Sequence, residues 1–159
     1  MIEDIRFYDT CSLLLAGETL FDKDQKFLIS SISIKELERI KTSSNKDADV
    51  KYSARILQHL LQKYPNKYEV VIHKTSHEAQ IEKLGLDITD DTRILSDAIW
   101  ANNIEYPDAI IFVTNDLALY NMANLYFGDQ NLESIEEEQD DYLGYKEITP
   151  TDEELENFY

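Results

Sequence analysis

An α/β fold built on a parallel sheet is the class this sequence predicts, and three observations predict it. Short apolar runs alternate with longer amphipathic segments along the first 135 residues. The most apolar run, Ala109-Ile110-Ile111-Phe112-Val113, shows no polar alternation, as expected for a strand covered on both faces. Helix-start signals stand directly after several of these runs, which is the rhythm of strand–helix units.

The elements follow in order. Ile5–Tyr8 reads as the first strand, and Thr10–Ala16 turns into a short helix offering Leu13, Leu14 and Leu15 for burial. Phe27–Ile32 reads as a second strand. Ser33 is then a good N-cap, because Glu36 three residues on completes a capping box. Ile34, Leu37 and Ile40 share one face of that helix, which ends near Thr42–Asn45, and a polar loop covers Ser44–Asp49. Tyr52, Ile56, Leu57, Leu60, Leu61 and Tyr64 mark an amphipathic helix stopped before Pro65. Tyr68–Ile72 is a third strand, and His73–Gly85 is ambiguous between loop and short helix. Thr89 or Asp90 caps a helix with Ile94, Leu95, Ala98, Ile99 and Ala101 as its buried stripe, and Pro107 closes the next turn. Asn115 caps a last helix, Leu117–Tyr126, with Gly128 just past its end.

Bulk properties narrow the function classes. The 159 residues suit one domain with a core, and 43% hydrophobic content suits a globular protein. Cys11 is the single cysteine, so neither an intrachain disulfide nor a Cys-type zinc site can form. No apolar run approaches a membrane span, and the acidic start Met1-Ile2-Glu3-Asp4 does not read as a signal peptide. A reducing cytoplasm is the expected compartment. The net charge of −17 argues against a nucleic-acid partner until its distribution is considered. Residues 31–80 hold nine Lys/Arg against six acids, a net +3, whereas residues 129–159 hold twelve acids against Lys146. A phosphate backbone has room near the middle of the chain, although a solvated helix face explains those lysines equally well.

Four acids stand where a nuclease needs them. Asp9 and Asp116 follow the first and the most apolar strands, at the sheet edge where open parallel sheets bind ligands. Glu36 and Asp91 lie in the first turns of helices able to face the same edge. Four carboxylates converging on one crevice call for bound cations, and their hard oxygens suit Mg²⁺ or Mn²⁺. Each acid taken alone has an ordinary alternative. Asp9 caps the helix at Thr10, Glu36 completes a capping box, and Asp91 and Asp116 sit in first turns that the helix dipole favours for any acid. Their joint placement is what those alternatives leave unexplained.

Asp9-Thr10-Cys11-Ser12-Leu13-Leu14 resembles the Asp-Thr-Asn-x-Leu-Leu opening of PIN domains, with Cys11 in place of the usual Asn. Ile34-Lys35-Glu36-Leu37-Glu38-Arg39-Ile40-Lys41 is similar to the segment carrying that family's second acid. Asp91-Thr92-Arg93-Ile94-Leu95 resembles the third, and Val113-Thr114-Asn115-Asp116-Leu117 the fourth. The resemblance covers roughly residues 5–135. It implies a three-layer α/β/α sandwich with a central, mostly parallel twisted sheet of Rossmann-like topology. It also implies metal-dependent hydrolysis of phosphodiester bonds, most often in single-stranded RNA, with Asp9, Glu36, Asp91 and Asp116 as the catalytic acids. Asp9 and Asp116, at strand ends, are then direct metal ligands, and Glu36 and Asp91 complete the site as ligands or orient metal-bound water. Thr10, Thr114 and Asn115 are then candidates for bonding the phosphate or a ligand carboxylate, and pairing into dimers is common in the family. The subgroup resembled is the PIN module that precedes a PhoH-like ATPase. Residues 142–148 and 152–159 are similar to its connector, which divides the chain into a nuclease-like domain over 1–135 and an acidic extension over 136–159. No Walker-type phosphate loop occurs, so any ATPase partner would lie in a longer chain.

Other residues carry weaker signals. Asp97 follows Asp91 by six residues, about 600° around a helix, so it is placed on another face and expected in solvent. Asp90 replaces Asp91 under a one-residue shift. His73 and His77 have a spacing that suits a zinc pair, but with no third ligand evident a loop or nucleic-acid contact is expected. Arg93 is placed to contact phosphate or to form a helix-surface ion pair. Cys11 is expected to pack against its helix, and Tyr142, Tyr145 and Tyr159 to stack on bases or pack on a partner. A second function class stays open beside the ribonuclease: a catalytically degenerate PIN-fold module whose acidic surface binds a basic partner or mimics nucleic acid.

Overall fold

A computed structural model describes residues 3–135. Five strands, β1 (Ile5–Tyr8), β2 (Phe27–Ser30), β3 (Tyr68–Val71), β4 (Ile110–Val113) and β5 (Leu132–Glu133), form one sheet in the order β3-β2-β1-β4-β5. All four pairings are parallel, with Ile5 opposite Ile110, Phe7 opposite Leu28 and Phe27 opposite Tyr68. The helices are α1 (Thr10–Ala16), α2 (Ser31–Thr42), α3 (Ala48–Lys63), α4 (Ala79–Lys83), α5 (Asp90–Trp100) and α6 (Leu117–Ala123). No helix among the described residues is long and apolar enough to cross a membrane.

The sheet is apolar on both sides because a parallel sheet carries its crossover helices on its faces. Along β4, Ile110 and Phe112 point into one core with Ile94, Leu95 and Ile99 of α5 and Leu119 of α6. Ile111 and Val113 point into a second core with Leu13 of α1, Leu37 of α2 and Leu57 and Leu61 of α3. Two cores on one sheet make the three layers. Strand order reverses at β1, whose neighbours are β2 on one side and β4 on the other, so the ends of β1 and β4 flank a crevice of the kind where such sheets bind ligands.

Several boundaries differ from the sequence expectation, each for a local reason. β2 stops at Ser30, and Ser30 rather than Ser33 caps α2, its hydroxyl accepting the Ile32 N–H at 2.9 Å. Glu36 is therefore one turn deeper in the helix than a capping-box acid, and its carboxylate is free to point elsewhere. Asp116, not Asn115, caps α6 by accepting the Leu119 N–H at 3.0 Å. Asn115 instead holds the chain after β5: its amide donates to the Ile135 carbonyl and its carbonyl accepts the Ile135 N–H. The helix ends at Ala123 rather than Tyr126. Of the three leucines in α1, Leu13 is fully buried but Leu15 is exposed, since so short a helix buries one face only. Between His73 and Gly85 the chain forms a 3₁₀ turn (Thr75–Glu78) and α4. Thr89 caps α5 in a capping box with Thr92.

Candidate metal and phosphodiester site

Asp9, Glu36, Asp91 and Asp116 line one pocket of about 350 Å³ at the C-terminal edge of the sheet, together with Thr10, Cys11, Leu14, Arg39, Ile40, Ser43 and Lys46. Each acid comes from a different place in the fold. Asp9 follows β1 and is buried, Glu36 reaches in from α2, Asp91 from the first turn of α5, and Asp116 from the cap of α6. Asp90, one residue from Asp91, turns away and pairs with Arg39 and Arg93 at 3.1 and 3.0 Å. Those two partners hold its carboxyl below the usual carboxylate range, the Arg39 hydrogen bond foremost.

Neighbouring hydroxyls fix the carboxylates. Asp9 Oδ1 accepts both the N–H and the hydroxyl of Ser12, at 2.9 and 2.6 Å. Its Oδ2 accepts the hydroxyl of Thr114 at 2.5 Å, and Thr114 Oγ1 in turn accepts the Asp116 N–H at 3.1 Å. One buried threonine thus ties the ends of β1 and β4 together. Thr10 donates its hydroxyl to Glu36 Oε1 at 2.5 Å and lies 2.9 Å from Ser33 Oγ. Thr10 and Thr114 are engaged with carboxylates, whereas Asn115 is engaged with backbone. Arg93 pairs with Glu78 and Asp90 and is not among the residues lining the pocket. Arg39, Ser43 and Lys46 do line it, and the sequence singled out none of them individually. Their signal was the mildly basic stretch over residues 31–80, which does not say which lysines turn inward.

Burial pushes the carboxyls of Asp9, Glu36 and Asp91 above their usual range. Like-charge repulsion adds to this, from Asp116 on Asp9, from Asp91 on Glu36, and from Asp116 and Asp9 on Asp91. The folded state holds these protons more tightly than the unfolded chain, so their contribution to stability falls as pH rises from the ordinary carboxylate range through the raised values. Asp91→Asn removes one charge from the cluster. In EDTA at neutral pH it is expected to melt above wild type, with the gap closing as the pH falls to about 4. Thermal melts of both proteins across that range check the sign, and a gap independent of pH would contradict it.

Cys11 is exposed at the pocket rather than packed against its helix. Its thiol is pushed up to about 11, by desolvation first and then by Asp9, Asp116, Asp91 and Glu36. Asp116→Asn is therefore expected to lower the pH at which Cys11 reacts with iodoacetamide. The single thiol makes intact mass a direct readout, and an unshifted pH–rate curve would show that the carboxylates do not act on it.

Asp97 and the histidines depart from the sequence expectation. Asp97 does lie on another face of α5 from Asp91, but that face is fully buried rather than solvated. It packs against Ser30 at the end of β2 and against the 3₁₀ turn, so both faces of α5 are covered. His73 and His77 meet there, with Asp97 as the third polar partner that sequence spacing does not reveal.

Comparisons with known proteins accord with this architecture. A family model described as PIN domain matches residues 7–126. The fold is similar to the crystal structure of VapBC2 from Rickettsia felis bound to a DNA fragment from their promoter. That likeness has a TM-score of 0.50 at 21% identity, covering 82% of this chain and 98% of that one. No curated protein matches the sequence. The family match spans well over half of the chain, and its limits enclose the strand ends and helix starts that bring the four acids to one pocket: the chain belongs to the PIN domain family.

Proposed function

We propose that this chain is a metal-dependent ribonuclease that hydrolyses phosphodiester bonds of single-stranded RNA, with Asp9, Glu36, Asp91 and Asp116 holding Mg²⁺ or Mn²⁺. The observation that carries the reading is the meeting of four carboxylates from four elements in one open pocket whose lining also contains Arg39 and Lys46. The donor set fits the cation: all four acids offer hard oxygens, and three have their carboxyls pushed up, by burial first and then by neighbouring acids. A divalent cation bound there supplies Lewis-acid charge and an activated water to the scissile phosphate.

The protein's own part is positioning. Asp9, held on both oxygens by Ser12 and Thr114, is a rigid anchor, and Asp116 is set by the same threonine. Glu36 is aimed by Thr10, while among the described residues no side chain hydrogen-bonds Asp91. Arg39 and Lys46 are placed to draw the phosphate backbone in, which reconciles a strongly acidic chain with an anionic substrate. The resemblance to PhoH-like proteins extends the proposal. Residues 1–135 form the nuclease unit, and residues 136–159, which lie outside the described part, connect it to an ATPase domain in a longer chain. Action in the cytoplasm and as a homodimer belongs to the same proposal.

Labelled single-stranded RNA incubated with the purified chain tests this reading. Cleavage is expected with Mn²⁺ or Mg²⁺, abolished by EDTA, with single-stranded DNA as the parallel arm. Absence of cleavage, joined to Mn²⁺ binding that is the same in wild type and Asp9→Asn, would favour the degenerate interaction module that the substituted Cys11 and the acidic tail allow.

A further inference from the structure

The residues between β3 and α4 form a second polar centre with α5, outside the acidic pocket. Asp97 is completely buried, and its Oδ2 accepts the hydroxyl of Ser30 at 2.7 Å. Its Oδ1 lies 2.7 Å from both His73 Nδ1 and His77 Nδ1. The other nitrogen of His73, Nε2, lies 2.7 Å from Glu78 Oε2, and Glu78 also accepts from Arg93 at 3.3 Å. The His77 ring is buried and stacked on Trp100, 5.0 Å between centroids, and the planes of the two imidazoles cross at 87°.

A neutral imidazole carries one N–H. When His73 gives that proton to Glu78, its Nδ1 lone pair faces the Asp97 carboxylate, and lone pair against carboxylate at 2.7 Å is repulsive unless something positive lies between. An extra proton answers at the present 2.7 Å separation; a metal ion answers equally once the ligand atoms spread to roughly 3.3 Å around it, as tetrahedral coordination requires. Three features favour the metal. Two imidazole nitrogens and one carboxylate oxygen converge within 4.8 Å of one another, the ligand set of His₂–carboxylate zinc centres. The hydrogen bond from the far nitrogen of His73 to a carboxylate is the arrangement that orients metal-ligating histidines. And Ser30 fixes the Asp97 carboxylate from its other oxygen, so the ligand is pre-oriented.

We propose that His73, His77 and Asp97 form a transition-metal site of the Zn²⁺ class, with water in the fourth position and Glu78 orienting His73. The site is chemically distinct from the four-acid pocket, since its nitrogen donors select a softer ion than Mg²⁺. It pins the turn after β3 to α5, the helix whose first turn carries Asp91. The histidine spacing alone suggested a pair in want of a ligand; the fold supplies that ligand from 20 residues further along.

Equilibrium dialysis of the full chain against buffered Zn²⁺, followed by metal analysis, tests the proposal, with excess Mg²⁺ present throughout, in the melts as well, to keep Zn²⁺ from filling the acidic pocket. Wild type and Asp9→Asn are expected to retain one equivalent. His77→Gln should bind roughly 100-fold more weakly and Glu78→Gln roughly 10-fold more weakly. Zn²⁺ should raise the melting temperature of wild type but not of His77→Gln. Wild type that retains no Zn²⁺, His77→Gln that retains it equally, or Asp9→Asn that loses it would each overturn the assignment. Should His77→Gln not fold, ¹⁵N spectra of the wild-type imidazoles decide. Zn²⁺ is expected to shift the ring nitrogens of His73 and His77 and to spare those of His59, the exposed histidine of α3. Unchanged spectra, or a His73 ring protonated on both nitrogens in the presence of Zn²⁺, would show that a proton fills the place.

Discussion

Asp9→Asn is expected to lower Mn²⁺-dependent cleavage of single-stranded RNA by roughly 10²–10³-fold while leaving the fold intact. The direction follows from the loss of a charged ligand, and several kcal/mol of lost transition-state charge stabilisation corresponds to that factor. The fold should survive because Asn keeps the side-chain volume and an oxygen to accept the Ser12 N–H that Asp9 now receives at 2.9 Å. Thr114→Val should cost less, roughly 10-fold, since it removes the hydroxyl that orients Asp9 Oδ2 and receives the Asp116 N–H but leaves both ligands in place. Single-turnover assays with saturating Mn²⁺, accompanied by circular dichroism, measure both. Undiminished cleavage by Asp9→Asn would remove the acidic pocket from the mechanism altogether.

Phe112→Ala is expected to bring the largest loss of stability. Phe112 is fully buried at the middle of β4, its ring stacked on Phe127 at 6.0 Å and tilted against Phe7 at 6.2 Å. Removing such a ring from a core typically costs about 3–5 kcal/mol, a large share of the roughly 5–15 kcal/mol that keeps a domain folded. At about 2–4 °C per kcal/mol for a chain of this size, the melting temperature should fall by roughly 10 °C. Phe112→Leu, which conserves most of the apolar volume, should cost under about 1.5 kcal/mol. Denaturant melts resolve the two, and equal stability of both variants would mean that the core relaxes around the gap.

Strands and helices were legible in the sequence wherever one physical requirement dominated. Ala109–Val113 reads as a strand covered on both sides, and the structure, with β4 over Ile110–Val113, places Ile110 and Ile111 in opposite cores. Termini were less legible because serines and asparagines compete for the same cap. Ser30 and Ser33 both precede helical residues, and the choice fell on Ser30 because Ser33 is buried beside Thr10. Asn115 lost the cap to Asp116 because its amide is taken by Ile135, a partner 20 residues away that local pattern does not show.

By itself the sequence determined the class of fold, the order of its elements and the placement of Asp9, Asp91 and Asp116 at helix starts, since these depend on periodicity, capping chemistry and local spacing. What it could not determine was which groups meet. Only the tertiary structure separated Asp91 from Asp90, turned Arg39 and Lys46 into the pocket lining, and buried Asp97 between Ser30 and two histidines. The reason is that a helix residue's surroundings depend on what packs over it, and for α5 both faces are covered by segments distant in the chain.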